Sequence, residues 1–556
     1  MGRRRLQHSR RELIEMAFGA SAVGLFASTL GCDSIADWVS GDLPDAGRLL
    51  SQDRRAGHQV RDFAAKPRAP QRPSEKHHCV VIGAGVAGLS AAWHAIEQGV
   101  EEIVVLELED EIGGTSRSGS LEGFQFPWGA HYLPVPKPDN QPLVHFLSQC
   151  GVLKVASNAA LEVQEQYLCR EPEERIFVAD QWWGGLYPEA VATPADLLEL
   201  KRFRANLQRL AAQRDVQGRP LFILPTRHCS TAEQARELDR ISMSQWMDAH
   251  HFDSKPLRWL VDYACRDDYG LNADQTSAWA GLFYFAARID PISGESQDVM
   301  TWPAGNGFLV DQLAAPLGNR LRLGQAVVRI SPQDASSKTT ALEIDVMDSH
   351  SGAMSTLAAE HVIVAVPQFI ASRMLDAAWM SSLGIERETP PNVFSYGSWL
   401  VANVHLSERP RETKFPMSWD NVTMASGSLG YVNATHQLGM DHGPTVLTWY
   451  QAIPADQPAE VRQRLMSRTW EEIAETVIMD LELAHPDIRR LITRLDAMIW
   501  AHAMPCPRVG SIFHPTRHAA QLPVGNVHFA CTDLSGIALF EEAFDHGRRA
   551  ALECFA

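Results

Sequence analysis

Three glycines follow a short apolar run in the pattern G-x-G-x-x-G, at Gly83, Gly85 and Gly88. Glycine at these positions permits a tight turn, lets a pyrophosphate approach the backbone and lets a helix pack closely against a strand. Glu107 stands 107 − 88 = 19 residues beyond the last glycine, where a carboxylate at a strand end accepts hydrogen bonds from an adenosine ribose. The four residues together predict binding of a dinucleotide with a free ribose 2′-hydroxyl.

The elements that must position these residues are visible on both sides of the glycines. The apolar run 79–82 has the length and β-branched content of a buried parallel strand, and residues 86–98 form a helical pattern that begins in the glycine turn. A second buried strand, 103–106, ends at the acid. The glycines alone also fit three turn or packing residues, but strand, turn, helix, strand and acid follow here in the order that dinucleotide binding requires.

The next residues add a second pair of glycines and the sequence Trp-Gly-Ala-His-Tyr. At this point the chain resembles the flavin-dependent amine oxidase superfamily, which includes monoamine and polyamine oxidases, protoporphyrinogen oxidase and phytoene desaturases. The resemblance implies an FAD cofactor and an α/β fold, in which a Rossmann-like FAD-binding domain is interrupted by an α+β substrate-binding domain. The residues that it assigns to FAD here are Gly83, Gly85, Val86, Ala87, Gly88, Glu107, Leu108, Gly113, Gly114, Thr115, Arg117, Trp128, Gly129, Ala130 and His131.

Two later segments resemble the same family. In relatives a residue of one strand touches the adenine through its backbone, and Val327, in a predicted strand over 321–330, is the best match. Val327 is equally explicable as a core residue. Residues 362–367 match a further family segment, a buried apolar run stopped by proline.

The C-terminal part resembles the family's last flavin motif, in which a strand and an acidic residue precede a helix. Asp533 stands where relatives usually carry Glu, and Cys531 replaces the usual Gly. The resemblance assigns Asp533, Gly536 and Ile537 to the flavin. A helix N-cap is the alternative role for Asp533, and both roles are compatible.

FAD carries the redox chemistry, so the protein must hold a substrate against the flavin N5 atom. Many amine oxidases of this family carry a lysine near N5, and Val401 stands at that place here. This difference weakens the amine-oxidase interpretation and favours dehydrogenation like that of desaturases or protoporphyrinogen oxidase. His131 and His502 are the candidate proton acceptors, with structural histidines as the alternative.

The favoured hypothesis is an FAD-dependent oxidoreductase that takes a hydride from a small organic substrate, either an amine or an unsaturated compound. Reoxidation by O2 or by a quinone remains open. The alternatives are a flavin-dependent isomerase without net redox change and a flavin-binding protein without turnover, because one fold can host each of these. The oligomeric state is not predicted.

Composition limits the other classes of function. The chain has 556 residues, enough for two joined domains, and a formal charge of −17, which argues against nucleic-acid binding. Its nine cysteines include no C-x-x-C pair, so no metal site and no disulfide scaffold are predicted.

The N-terminus is predicted to be a targeting segment. Arg10 and Arg11 precede a mildly apolar stretch, and residues 1–32 resemble a twin-arginine signal peptide, with an ordinary secretory signal or a short membrane helix as alternatives. Export would place the protein in the periplasm or on the extracytoplasmic face of the inner membrane. Cys32 follows a loose lipoprotein cleavage box and is a possible lipid anchor.

The remaining chain divides by its patterns into alternating segments of two domains. Residues 33–75 are polar and proline-rich and are predicted to be a linker or a loosely packed extension. The helical patterns include 194–214 and a single helix around 460–483. The predicted FAD-binding domain comprises 76–135, 295–380 and 501–556, and the predicted substrate domain comprises 136–294 and 381–500.

Overall fold

The structure is a computed structural model that describes residues 43–52, 54–64, 72–156, 160–334, 341–385 and 389–555. The predicted signal and Cys32 lie outside these residues. The strands are β1 (Gly47–Ser51), β2 (Glu75–Ile82), β3 (Ile103–Leu106), β4 (Ser118–Leu121), β5 (Phe124–Pro127), β6 (Tyr132–Pro134), β7 (Leu153–Val155), β8 (Leu161–Val163), β9 (Glu174–Val178), β10 (Gln181–Gly184), β11 (Val299–Thr301), β12 (Leu321–Arg322), β13 (Gln325–Pro332), β14 (Leu342–Asp348), β15 (Met354–Val364), β16 (Tyr396–Leu406), β17 (Asp420–Thr423), β18 (Tyr431–Asn433), β19 (Thr445–Ile453), β20 (Ile492–Pro505) and β21 (Val527–Phe529).

The α-helices of the described chain separate and cover these strands. They are α1 (Arg54–Ala64), α2 (Val86–Glu97), α3 (Gln141–Gln149), α4 (Pro194–Ala212), α5 (Glu233–Asp239), α6 (Met243–Ala249), α7 (Lys255–Tyr269), α8 (Ala278–Ala286), α9 (Gly307–Ala314), α10 (Gln368–Met374), α11 (Ala377–Ser382), α12 (Pro458–Met466), α13 (Trp470–Glu482), α14 (Pro515–Gln521) and α15 (Phe540–Phe555). Within the described ranges, no helix is both long and apolar enough to cross a membrane.

A seven-stranded sheet forms the first half of the molecule. Its order is β12-β3-β2-β15-β14-β13, with β21 also beside β15, and β12, β3, β2, β15 and β21 run parallel. Alternate residues of β2 and β15 enter two apolar clusters, one beneath α2 and α15 and one on the opposite face. Burial on both faces explains the continuous apolar runs of these strands. The sheet and its helices confirm the predicted α/β, Rossmann-like class.

An eight-stranded, mainly antiparallel sheet forms the second half. Its order is β1-β20-β16-β19-β18-β17-β9-β10. One face packs on α13, while the other face carries aromatic side chains that pack with Phe126 and Trp128. Helices α4 to α8 build a separate apolar cluster beside the sheet. The segment 136–294, predicted as part of the substrate domain, contains the strands β7 to β10 as well as helices.

Two predicted elements are each divided in the structure. The strand predicted over 321–330 breaks at Gly324, whose φ of +66° ends β12 on β3 before β13 begins on β14. The helix predicted around 460–483 is two helices, because Thr469 and Glu472 form a capping box that starts α13. Both divisions arise at a glycine or a cap inside a continuous apolar pattern.

The predicted linker 33–75 is corrected in part. Gly47–Ser51 pairs in parallel with Leu495–Ile499 and so forms the edge of the second sheet. Gly47 permits this approach, because a Cβ there would lie 2.3 Å from the Leu495 carbonyl oxygen. This strand was missed because five residues are too few to show a clear periodicity, and its partner lies more than 400 residues away in the sequence. The predicted boundary at residue 500 also falls inside β20, which continues to Pro505.

Candidate active site

The glycines of the turn between β2 and α2 have two different surroundings. One is tightly packed and another borders open space. Gly88 is a packing glycine, because a Cβ there would lie 1.9 Å from the Gly83 carbonyl oxygen. Gly83 itself has φ of +98°, which only glycine adopts easily. A Cβ on Gly85 would meet nothing within 4 Å. The space beside Gly85 is therefore open to a ligand.

Helix α2 begins directly at this open space. Gly85 is its N-cap and supplies no side-chain cap, so the first-turn N–H groups, including those of Val86 and Ala87, have no capping side chain. Such groups, with the positive end of the helix dipole, favour a phosphate.

Glu107 lies beside the same turn. Its Oε2 accepts a hydrogen bond from the Ala84 N–H at 2.6 Å, and its Oε1 accepts one from the Glu109 N–H at 3.0 Å. Each carboxylate oxygen keeps a further lone pair for a ligand hydroxyl. Burial raises the pKa of Glu107, while the two backbone donors oppose that rise. The structure thus puts the predicted ribose acceptor next to the predicted phosphate turn.

The strand that resembles the adenine contact lies close to Glu107. The Gln325 N–H donates to the Glu107 carbonyl oxygen at 2.7 Å. The pairing of β13 with β14 shifts between Val327 and Arg329, so Val328 lies in a β-bulge. Val327 is buried in the apolar cluster, and Leu108 packs beside Val328 on the other side.

The second glycine pair lies against the first turn. The Gly113 N–H donates to the Ala84 carbonyl oxygen at 2.8 Å, and Gly113 forms a parallel bridge with Gly85. A Cβ on Gly114 would lie 3.6 Å from the Gly85 Cα. The two glycine-rich loops are therefore one continuous surface.

The segment after Gly114 pairs with the Trp-Gly-Ala-His sequence. The Ala130 N–H donates to the Thr115 carbonyl oxygen at 3.0 Å, and the Trp128 N–H donates to that of Arg117, also at 3.0 Å. Gly129 allows this approach, since a Cβ there would lie 2.2 Å from the Thr115 oxygen. The structure therefore joins these predicted flavin segments into one unit.

Arg117 is held by acidic and aromatic neighbours. Its guanidinium forms an ion pair with Glu109 and lies 5.0 Å from the centre of the Trp500 ring. The Trp500 indole in turn donates to the Trp128 carbonyl oxygen at 2.6 Å. These contacts tie the flavin segments to β20 of the second sheet.

Asp533 of the C-terminal motif is fully buried. Its Oδ2 accepts hydrogen bonds from the Gln368 N–H at 2.6 Å and from the Tyr396 hydroxyl at 2.5 Å. Its Oδ1 is buried and receives no hydrogen bond from an N–H or O–H group among the described residues, and the Cys531 thiol is a weak donor to the same carboxyl. Burial raises the pKa of this carboxyl. An unpaired buried acceptor at this position is the feature that a hydroxyl of a bound cofactor would satisfy.

Arg517 supports this motif and was not anticipated from the sequence. It is buried, and it donates to the carbonyl oxygens of Ser511, Asp533 and Val393. Burial lowers its pKa to about 10. A Cβ on Gly536 would lie 2.9 Å from its Cζ atom, so Gly536 is required by packing. A single arginine in a polar stretch carries no sequence signal for such a role.

Ile537, also predicted to touch the flavin, is fully buried in the apolar cluster of α4 to α8.

Taken together, the open space at Gly85, the uncapped start of α2 and the unpaired Asp533 oxygen fit a long cofactor with phosphate and hydroxyl groups.

His131 lies in an aromatic cluster on the substrate side of the predicted flavin segments. Its ring centre is 5.4 Å from that of Tyr132, 5.6 Å from that of Trp419 and 5.3 Å from that of Tyr450. Its Nδ1 lies 3.0 Å from the Gly129 carbonyl oxygen, which can only accept, so Nδ1 carries the proton and Nε2 the lone pair. Burial lowers the pKa of His131 to about 4. The imidazole is therefore neutral near pH 7.

His502 lies among other residues. Its ring stacks on Phe369 with a centre-to-centre distance of 4.6 Å, and Tyr396 lies 6.2 Å away. Burial lowers its pKa to about 4 as well. Val401, at the place of the family lysine, is buried among apolar and aromatic side chains and pairs with Tyr450.

Two carboxyl groups face each other beside the aromatic cluster. Asp420 of β17 and Glu174 of β9 are direct partners in adjacent parallel strands. Like charges in such a pair repel, and Glu174 raises the pKa of Asp420 after the larger effect of burial, while burial followed by Glu173 and Glu171 raises the pKa of Glu174. The pKa of Glu174 rises to about 7. Tyr450 donates to Asp420 at 3.4 Å and so links the pair to His131.

Helix α7 adds two further acids to this group. Burial and mutual repulsion raise the pKa of Asp267, and burial raises that of Asp268. The nearest compensating cation is Arg288, which lies 4.0 Å from Asp268 and donates to the Tyr132 hydroxyl at 3.2 Å. We use the name acidic cavity for Glu174, Asp267, Asp268, Asp420 and Arg288. Arg288 lowers the pKa of Asp267 and Asp268, Arg266 also lowers that of Asp267, and no arginine offsets the shifts of Glu174 and Asp420.

The residues of the acidic cavity differ in their exposure. Glu174 keeps an exposed side chain, and Asp267 and His131 are half-buried, although protein surrounds all three closely enough to shift their pKa values. The sequence offered two weak signals for the acidic cavity, the acidic run 171–174 and the adjacent acids at the apolar end of α7.

Comparisons with known proteins agree with this geometry. A family model described as flavin-containing amine oxidoreductase matches residues 86–554. The chain is 28% identical over 285 residues to AofH of Mycobacterium tuberculosis, whose name assigns it as a flavin-containing monoamine oxidase, and the match covers 49% of this chain and 55% of that protein. The chain spans about half the length of the curated relatives it matches.

Solved structures show a similar fold at low sequence identity. A putrescine oxidase variant has a TM-score of 0.61 and 18% identity, over 87% of this chain and 99% of that chain. Cyclohexylamine oxidase from Brevibacterium oxydans has a TM-score of 0.58 and 17% identity, over 86% of this chain and 98% of that chain.

Proposed function

Because the chain belongs to the flavin-containing amine oxidoreductase family, we propose that it oxidises a cationic amine and passes the hydride to FAD. Family membership confirms the sequence-based predictions of an FAD cofactor and of an oxidoreductase. The twin-arginine signal, the electron acceptor and the substrate stay proposals. When bound, FAD supplies the acceptor for the hydride.

The acidic cavity is the observation that carries the choice of a cationic amine. Four neighbouring carboxyl groups, of which Asp268 and Asp420 are buried, leave a site that is short of positive charge. An ammonium group entering it would allow Glu174 and Asp420 to ionise together, and this gain favours binding. The aromatic rings of Trp419 and Tyr450 suit the same ligand, because their faces attract cations.

The geometry favours a substrate with two positive charges. One amino group must lose its proton before its neighbouring carbon can give up a hydride, and the neutral Nε2 of His131 is available to take that proton. A second ammonium group can stay charged against Glu174 and Asp267. This division of roles supports a diamine or polyamine, and putrescine is named as the substrate class of one structural neighbour.

Val401 changes one feature of the proposed reaction. The sequence analysis took the missing lysine as an argument for desaturase-like chemistry, and the apolar contacts of Val401 with Tyr450 leave no charged group at that place. The acidic cavity outweighs this argument, because an uncharged polyene or a porphyrinogen has no use for buried carboxyl groups. We infer that the loss of the lysine affects reoxidation more than substrate binding.

A turnover experiment separates this proposal from its alternatives. The holoenzyme is incubated with a short aliphatic diamine, with the monoamine of equal length and with an unsaturated fatty acid, in air and then with a soluble quinone. We expect aldehyde and ammonium from the diamine, with consumption of one of the two acceptors. An isomerised product without acceptor consumption would support the isomerase, and an inert flavin would support a non-catalytic protein.

Export is proposed from the sequence alone. A substitution of Arg10 and Arg11 by lysine should keep the flavin-loaded protein in the cytoplasm of the native host, because the twin-arginine pathway reads both residues. Cell fractionation of the two versions tests this, and equal export of both would refute it. A lipid anchor at Cys32 would add a mass shift on the N-terminal peptide of the exported protein.

A further inference from the structure

Three adjacent strands place residues that can bind metal on one face of the first sheet. Cys79 of β2 pairs with His361 of β15, and His528 of β21 pairs with Ile363. Since side chains two residues apart on a strand share a face, Cys79, His361 and His528 all lie on the same face. This is the face that α2 and α15 cover.

Helix α15 supplies the next residue of the cluster. Ligand atoms of His361, His528 and Cys554 lie within 4.8 Å of one another. The Cys79 thiol is in hydrogen-bond contact with the Cys554 thiol, so a second sulfur atom lies beside the group of three. His528 and Cys554 are buried and His361 is half-buried. No other group of three such residues meets this criterion within the described parts of the chain.

The histidines are unusual at these positions. Buried parallel strands normally carry apolar runs, and His361 is followed by valine and isoleucine, while His528 lies between Val527 and Phe529. The Nδ1 atom of His361 is buried without a hydrogen-bond partner among the residues that the structure describes. Buried polar atoms are rarely left unpaired, so a ligand for this imidazole is missing from the protein's own side chains.

A carboxylate lies where it would orient one of the imidazoles. Glu553 Oε2 is 3.4 Å from the Nδ1 atom of His528. A carboxylate on one ring nitrogen fixes the tautomer and leaves the other nitrogen for a metal, as in many zinc sites. The cluster thus has residues that can bind a metal and a carboxylate that orients one of them.

The cluster is separate from the flavin site. Cys79 precedes Gly83 by four residues in an extended strand, which corresponds to about 13 Å. Cofactors of such sheets bind beyond the carboxyl ends of the strands, whereas the cluster lies within the sheet, beneath α15.

We propose that His361, His528, Cys554 and Cys79 bind one Zn²⁺ ion that fastens α15 to the sheet. Thiolate and imidazole ligands in a four-coordinate site are the set that structural zinc prefers. Binding displaces the thiol protons to solvent and involves no electron transfer. The prediction of no metal site from the sequence rested on the lack of a C-x-x-C pair, and these ligands come instead from four elements distant in sequence.

Metal analysis of the holoprotein tests this proposal. The wild type is produced with added zinc, freed of loose metal by gel filtration, and measured by mass spectrometry for zinc and by absorbance for flavin. We expect about one zinc per chain in the wild type and at least a ten-fold lower zinc content in His528→Gln and Cys554→Ser. The exposed His518 and the half-buried Cys150 provide matched controls, and His518→Gln and Cys150→Ser should retain zinc.

Thermal stability distinguishes the loss of zinc from misfolding of a variant. Removal of zinc by a chelator should lower the Tm of the wild type, and added zinc should restore it, while His528→Gln keeps its flavin and shows neither change. X-ray absorption at the zinc edge should give sulfur neighbours at about 2.3 Å and nitrogen neighbours at about 2.0 Å. Wild-type protein without zinc, zinc that persists in both variants, or a Cys79–Cys554 disulfide in its place would each overturn the proposal.

Discussion

At the scale of single residues, the acidic cavity shows how charge repulsion prepares a binding site. Glu174 and Asp420 face each other across two strands, so both cannot be ionised without cost until a cation arrives. The protein tolerates this repulsion in its interior, where stability alone would favour a neutral pair. Such repulsion between buried acids is a common mark of a functional site.

The pH dependence of turnover should follow the ionisation of the Glu174 carboxyl. Its pKa is raised to about 7, so the carboxyl is ionised above that pH and becomes protonated below it. Because the ionised form binds the ammonium group, kcat/KM for a diamine should fall as the pH drops below about 7. The Glu174→Gln variant should lose about ten-fold in kcat/KM above that pH, which corresponds to about 1.4 kcal/mol.

The exposed Glu165 supplies the control for this measurement. Glu165→Gln should keep both the rate and the pH profile of the wild type. A Glu174→Gln enzyme with an unchanged profile would show that this carboxyl does not meet the substrate.

Asp533 should hold FAD through a charged hydrogen bond. Asparagine keeps an oxygen for the Gln368 N–H and the Tyr396 hydroxyl but puts an NH2 group, which cannot accept, in the place of Oδ1. Hydrogen bonds to charged groups contribute about 1.5–3 kcal/mol, so Asp533→Asn should raise the Kd for FAD roughly 10- to 100-fold. Fluorescence titration of the apoprotein with FAD measures this Kd. The control variant Asp274→Asn, at an exposed position, should bind FAD with the wild-type affinity. Equal affinity in both variants would refute the assignment.

Residues of this kind differ in how far the sequence reveals them. Gly85 and Glu107 were predictable because their roles follow from one contiguous unit of strand, turn and helix. The acidic cavity was not, since Glu174, Asp268 and Asp420 come from three separate elements. Arg517 could not be recognised either, because its three acceptors are backbone oxygens set by tertiary structure.

At the scale of elements, the contact of β2 with α2 decides whether the first sheet can form. Gly88 allows the helix to lie on the strand, whereas Gly85 only borders open space. The same motif therefore contains one glycine for packing and one for the ligand, as the resemblance implies. The structure separates these two roles by the room available for a Cβ atom.

A pair of substitutions tests this separation. Gly85→Val should fold with an unchanged Tm of the apoprotein and lose FAD, because its side chain would fill the space that a phosphate needs. Gly88→Val should fail to fold or aggregate, because its Cβ would lie 1.9 Å from the Gly83 oxygen. Thermal unfolding and released flavin report the two effects. A Gly85→Val protein that still binds FAD would contradict the role given to Gly85.

Element boundaries were harder to predict than element types. Apolar periodicity continued through Gly324 and through the cap at Thr469, although the chain breaks at both places. Strand β1 was not predicted because its own sequence shows no strand pattern. It is a strand because it pairs with β20. Periodicity reports burial along the chain, whereas these features depend on a partner or on local backbone geometry.

At the scale of the whole molecule, the two sheets contribute different chemistry to one site. The first sheet presents the glycine loops and Asp533, and the second presents Trp419, Asp420 and Tyr450. The Trp500 indole joins the two through the Trp128 carbonyl oxygen. The α/β class could be expected from motifs spread along the chain, while the charge of the site emerged only when both sheets were placed together.

The central claim is that FAD and the acidic cavity form one active site for a cationic amine. The most direct measurement is an anaerobic titration of the purified holoenzyme with a short aliphatic diamine, followed by the visible absorbance of the flavin. We predict complete bleaching at about one diamine per flavin, and much weaker bleaching by the matching monoamine. A flavin that dithionite reduces but no amine bleaches, or a protein that carries no flavin, would contradict the account.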